Sequence, residues 1–84
     1  MNFKEAMDEV SEGRTVTVTP KGTKSYTYEL AVRYCEELDD ELLMCRYVSK
    51  DGNMNDWEPV VYLFCDGDVI DGDWEVVQSR EVDA

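Results

Sequence analysis

Histidine is absent from these 84 residues, and basic side chains are scarce: eight Lys and Arg face twenty Asp and Glu, a formal net charge of −12. Without histidine there is no His-based triad, no Cys/His zinc site and none of the commonest general base. So few cations argue against direct nucleic-acid binding, which needs basic side chains to displace counterions, and against adsorption to anionic membranes. Cys35, Cys45 and Cys65 include no CxxC pair, so they read as reduced thiols filling core space. Cys35 and Cys45 fall on neighbouring expected strands, where an accidental bridge could form. No run approaches the ~18 apolar residues that span a bilayer, and the opening Met1-Asn2-Phe3-Lys4-Glu5 lacks the apolar core of a signal peptide. A soluble, cytoplasmic protein is expected. The five glycines stand singly, so there is no glycine-rich phosphate cradle, and Lys21-Gly22-Thr23-Lys24 reads as a basic hairpin tip.

What is present is enough to fold. Hydrophobic residues make up 43% of the chain and aromatics 11%, too rich for a disordered acidic tail. A mass of 9.7 kDa leaves room for one small domain over 1–84, with an ordered core over about 2–78 and a frayed tail over 79–84.

Phe3, Ala6, Met7 and Val10 recur at helical spacing, Asn2 is an N-cap with Glu5 three residues on, and Gly13 is a stop. This predicts an amphipathic helix over about 3–12. Val16 and Val18 alternate with threonines, and Pro20-Lys21-Gly22-Thr23 follows as a turn. Tyr26, Tyr28, Leu30, Val32 and Tyr34 then share one face of a strand, which predicts core packing for that whole row. Leu42–Val48 reads as a third strand and the apolar run Val60–Cys65 as a fourth, central one. Asp66-Gly67 or Asp71-Gly72 would close the hairpin to a last strand around Trp74–Val77. The fold class expected is α+β, the N-terminal helix packed on a four- to five-stranded antiparallel sheet.

Charge placement is the most informative feature. Between Lys50 and Arg80 there is no basic residue, yet Asp51, Asp56, Glu58, Asp66, Asp68, Asp71, Asp73 and Glu75 all lie there. The other dense patch is the turn holding Glu36, Glu37, Asp39, Asp40 and Glu41. On extended backbone, Asp66/Asp68 and Asp71/Asp73 would each lie about 6.6 Å apart on one side of a strand. Such an array is either a solvated surface or a face offered to a basic groove on a partner. Self-repulsion at this density costs stability, which favours the second reading for the patch as a whole. Trp57, beside carboxylates in a polar loop, is a candidate partner anchor or a lid on the sheet edge.

Other chemistry fares worse. Asp51, Asn53 and Asn55 match the start of a calcium loop, but Asp56 replaces the turn glycine and Tyr62 the bidentate glutamate. Weak divalent-ion attraction at Asp66-x-Asp68 or Asp71-x-Asp73 falls short on ligand count. Paired carboxylates doing acid/base work need a cleft that a domain of this size has little volume to form. No enzyme, no cofactor and no metal is expected.

The opening Met1-Asn2-Phe3-Lys4-Glu5-Ala6-Met7 with Glu12-Gly13-Arg14-Thr15-Val16, and the ending Asp68-Val69-Ile70-Asp71-Gly72-Asp73-Trp74-Glu75-Val76-Val77, resemble a family of small phage-encoded domains. That family includes the second type of Thoeris anti-defence protein and related anti-CRISPR proteins. Trp57-x-Pro59 also fits the family's W-x-P step. The likeness covers the two ends and the middle only in outline. It implies a non-catalytic phage inhibitor of a bacterial defence system and a homo-oligomer. Where the family carries a Trp-Asn-Gly element and several basic residues, this chain has Thr17–Ser25 without them. The expectation is therefore an acidic nucleic-acid mimic that occupies the basic groove of a host defence protein, as an anti-CRISPR or anti-restriction protein would. The alternatives are a sponge for a cyclic nucleotide ligand, which would need Arg14, Lys21, Lys24 or Arg33 to converge, and a virion structural module.

Overall fold

A computed structural model describes residues 1–77; the proposed tail over 79–84 lies outside the described residues. The helix α1 spans Phe3–Ser11. Its start is set as the sequence predicts: the Glu5 N–H donates to Asn2 Oδ1 at 2.8 Å, and the Asn2 N–H donates to Glu5 Oε1 at 2.9 Å, a reciprocal capping box. Five antiparallel strands follow, β1 (Val16–Thr19), β2 (Tyr26–Cys35), β3 (Asp40–Ser49), β4 (Glu58–Pro59) and β5 (Asp73–Val76), in the order β4-β3-β2-β1-β5. The architecture is α+β, with α1 on one face of the sheet. The described residues form no helix long and apolar enough to cross a membrane.

The β1–β2 turn is the one expected. The Thr23 N–H reaches the Pro20 carbonyl at 3.1 Å, with Gly22 at φ 82° in the position that favours glycine. Strand alternation then defines two faces. On the covered face, Val16, Val18, Leu30 and Trp74 pack with Ala6 and Val10 of α1, all at most 4% exposed. Phe3 meets Trp74 and Phe64 edge-on, with centroids 5.5 and 5.0 Å apart.

The apolar run after β4 is not the central strand expected of it. Val60 makes a last ladder bond to Leu43, after which Leu63–Cys65 forms a 3-10 turn and Gly67–Ile70 one helical turn, α2. Asp66 does not close a hairpin; it caps α2, accepting from the Asp68 N–H at 2.9 Å. This segment carries the chain from β4 at one edge to β5 at the other. Its hydrophobicity serves a crossover lying on the core beside α1, with Leu63, Phe64 and Val69 packed inward. The central strand is β2 instead.

The β2 row is corrected as well. Tyr28 and Leu30 face the core, but Val32 and Tyr34 are exposed. The reason is length: β1 pairs only with Tyr28–Leu30 and β4 only with Met44 and Cys45, whereas the β2–β3 ladder runs for ten pairs to Cys35↔Asp40. The last third of this hairpin projects past both neighbours and past the helix. The cysteines are all free. Cys35 and Cys45 stand five ladder positions apart with odd register offset, on opposite faces, which rules out the accidental bridge.

Gly72 joins α2 to β5 where a Cβ would come within 2.3 Å of the Thr19 carbonyl oxygen. Gly72→Ala should therefore cost about 1–3 kcal/mol, and Trp74→Ala, which empties the largest fully buried position, about 3–5 kcal/mol. Urea denaturation followed by circular dichroism checks both.

An acidic hairpin end and the hollow beside Trp57

The projecting end of the β2–β3 hairpin holds one of the two acidic patches. Glu36–Asp39 make the turn, and Asp40 and Glu41 begin β3 rather than belonging to the turn. Asp39 has φ 52°, a left-handed conformation that Asp and Asn tolerate better than most side chains. Its carboxylate accepts the Tyr34 hydroxyl, and Asp40 Oδ1 accepts the Glu41 N–H at 2.8 Å. These local bonds hold the turn while leaving all five carboxylate-bearing residues exposed.

The second patch lies elsewhere. Asp66 and Asp68 are on the cap and first turn of α2, Asp71 is its C-cap, and of the four only Asp73 lies in a strand. The paired carboxylates on one strand edge are therefore not formed. Asp68, Asp71 and Asp73 sit by the β1–β2 turn, where the Lys21 N–H donates to the Asp68 carbonyl at 2.8 Å and Asp73 pairs with Thr19, whereas Asp66 lies nearer Tyr28 and Cys45. Ten residues of β2 separate that end from the hairpin tip, about 30 Å at strand rise. The tertiary structure thus sets Asp68, Asp71 and Asp73 at the opposite end of the hairpin from Glu36–Glu41.

Trp57 belongs with the tip. Between the Val48↔Met54 bridge and the Cys45↔Glu58 pair, three positions of β3 face four of the incoming chain. This one-residue bulge turns Trp57 onto the open face of the sheet; without it the side chain would fall on the other. Ala31 and Met44 are buried on that face, Met44 lining one hollow with the indole, and the Arg33 and Arg46 guanidinium carbons lie 4.9 and 4.7 Å from its ring centroid. Arg46 also bonds Glu29 Oε1 at 2.8 Å across the β2–β3 pair. Trp57 is thus half-buried against the open face of the sheet. Beside it an open hollow of about 800 Å³ is lined by Arg33, Tyr34, Glu36, Glu37, Asp56 and Trp57 among others. Sequence reasoning missed Arg33, Arg46 and Tyr34 as members of this site, since only the ladder register brings them to Trp57 and Asp39.

Ion pairs among the described residues lie along α1 and its C-terminal end, and at Arg46 beside Trp57. Lys4 pairs with Asp8, Arg14 with Glu9 and Glu12, and Arg46 with Glu29. Among the described residues, no carboxylate from Glu36 to Glu75 lies within 4 Å of a basic nitrogen. The four cations that a phosphate-bearing ligand would need do not converge: Arg14 is held by the end of α1, Lys21 and Lys24 are in the β1–β2 turn, and Arg33 is beside Trp57. No group of three or more metal-ligating side chains occurs among the described residues. Comparison of the chain with protein-family models, with curated proteins and with solved structures returns no match.

The hydrogen bond to Asp39 pushes the Tyr34 phenol above its ordinary value of 10, and burial does the same to Tyr28. Both groups hold their protons more tightly folded than unfolded, so their contribution to stability is complete below pH 10 and fades as pH rises past their folded values. Absorbance titration should show two late-ionising tyrosines, and Tyr34→Phe should remove one of them.

Proposed function

We propose that this chain is a non-catalytic, phage-encoded inhibitor that occupies a basic, nucleic-acid-binding surface of a bacterial defence protein. The observation that supports the reading is the unpaired negative charge: five acidic residues on an exposed hairpin end and, among the described residues, no carboxylate from Glu36 to Glu75 in an ion pair. A projecting two-stranded arm can enter a groove that a flat sheet cannot. Its tip presents Glu36, Glu37, Asp39, Asp40 and Glu41, with exposed Leu38 and Tyr34 adding apolar contact. The opposite end of the hairpin, with Asp68, Asp71 and Asp73, adds to the field that steers approach. The phage origin and the defence target rest on the resemblance at the two chain ends.

The tip can be neutralised without breaking its geometry. Asn is suited to the left-handed position of Asp39 and still accepts the Tyr34 hydroxyl. The variant Glu36→Gln/Glu37→Gln/Asp39→Asn/Asp40→Asn/Glu41→Gln should bind the host target at least about tenfold more weakly, whereas Asp66→Asn/Asp68→Asn/Asp71→Asn/Asp73→Asn should chiefly slow association. Capture from a lysate of defence-bearing cells should fall steeply as salt rises through a few hundred millimolar. Salt-independent capture, full activity of the tip variant, or calorimetric binding of a cyclic nucleotide would each overturn the reading.

A further inference from the structure

A second cavity, of about 480 Å³, opens where the edge of β3 and β4 meets the crossover. Tyr28, Cys45 and Leu63 are its half-buried members, and Tyr62, Glu58 and Asp66 are exposed. Tyr62 is the most exposed large hydrophobic residue in the described chain, at 78%, and packing does not require it there. No basic side chain lines the cavity, and neither Glu58 nor Asp66 is in an ion pair among the described residues. The contrast with Trp57 is informative. There the chain supplies its own two arginines to an aromatic ring; here aromatic faces and two carboxylates stand together with no cation among the lining residues.

We infer that this cavity is a seat for an arginine side chain of the partner protein, its guanidinium stacking on Tyr62 and facing the carboxylates of Glu58 and Asp66. The inference rests on the proposed reading of a basic partner and names how one residue of it would be held. Arginine fits better than lysine because a planar, weakly hydrated guanidinium stacks on an aromatic face and gives up less hydration on entering an apolar hollow. The strongly negative chain strengthens attraction for any cation there. Burial, and after it the charge of Glu58, holds up the Cys45 thiol; burial holds up the Tyr28 phenol, with Tyr26, Cys45 and then Asp66 adding to it.

Titration of the full chain with Nα-acetyl-arginine methylamide, followed by amide NMR shifts, tests the seat directly. The lysine and citrulline equivalents serve as probes of charge shape and of charge itself. The expected result is shifts centred on Cys45, Tyr62 and Asp66, weaker binding of the lysine probe and none of the neutral citrulline probe. Tyr62→Ala should weaken the arginine probe about threefold to fivefold, and Glu58→Gln/Asp66→Asn about fivefold to tenfold. Both variants should stay folded, since Tyr62 is exposed and Asn retains the capping role of Asp66. Shifts spread evenly over all acidic residues, or equal binding by these variants, would overturn the inference. Loss of target capture by the tip variant with retention by the cavity variants would sink the seat and leave the proposed function standing; arginine binding at the cavity by a chain that captures its target independently of the tip would do the reverse.

Discussion

Contact between Trp74 and the residues around it holds this molecule together against its own charge. Trp74 sits in a strand only four residues long, yet it touches α1 through Phe3 and sends its indole N–H 3.2 Å to the Ile70 carbonyl of the crossover. The terminal amine of Met1 meets the Trp74 carbonyl at 3.3 Å. The start of α1 and β5 therefore close on each other over the core, and β5 completes the sheet on the far side of β1. A net charge of −12 on a domain of this size works against compactness. The chain limits that cost by placing its carboxylates outside the core: no charged side chain is buried among the described residues.

The same small core decides what is left free. One helix and one crossover cover the half of the sheet nearest β1 and β5, while the long hairpin runs past them. Its outer end has neither a helix on one face nor a neighbouring strand on either side, so acidic and apolar side chains there are exposed together. At the β4 edge, a bulge and a strand of only two residues interrupt regular pairing, which makes this edge a poor template for uncontrolled strand addition. The bulge also aims Trp57 at the open face, where two arginines flank its ring and Met44 lines the same hollow. Edge protection and the placement of Trp57 thus come from one extra residue.

Much of the fold was legible because its signals are local. The Asn2–Glu5 capping box, the valine alternation of β1, the Pro20–Thr23 turn and the long alternating strand β2 each depend on neighbours a few residues away. Val60–Cys65 was misread because an apolar run reports burial and says nothing of backbone shape; a crossover lying on a core and a central strand have the same composition. The outer half of β2 was misread for a related reason. Alternation marks a face, and how far the helix reaches along that face depends on its docking against Trp74 and Val16, which no local pattern encodes.

For the candidate site, the sequence by itself determined the charge, the clustering of acidic residues in two stretches, and the absence of cations to neutralise them, since these are properties of composition and order. Only the tertiary structure decided that Asp68, Asp71 and Asp73 lie at the far end of a ten-pair ladder from Glu36–Glu41, that Trp57 joins the latter, and that Glu58 and Asp66 border one aromatic cavity. The physical reason is that charge is carried by residues one at a time, whereas a surface is made by strand register, and a shift of one position in the ladder exchanges one face for the other.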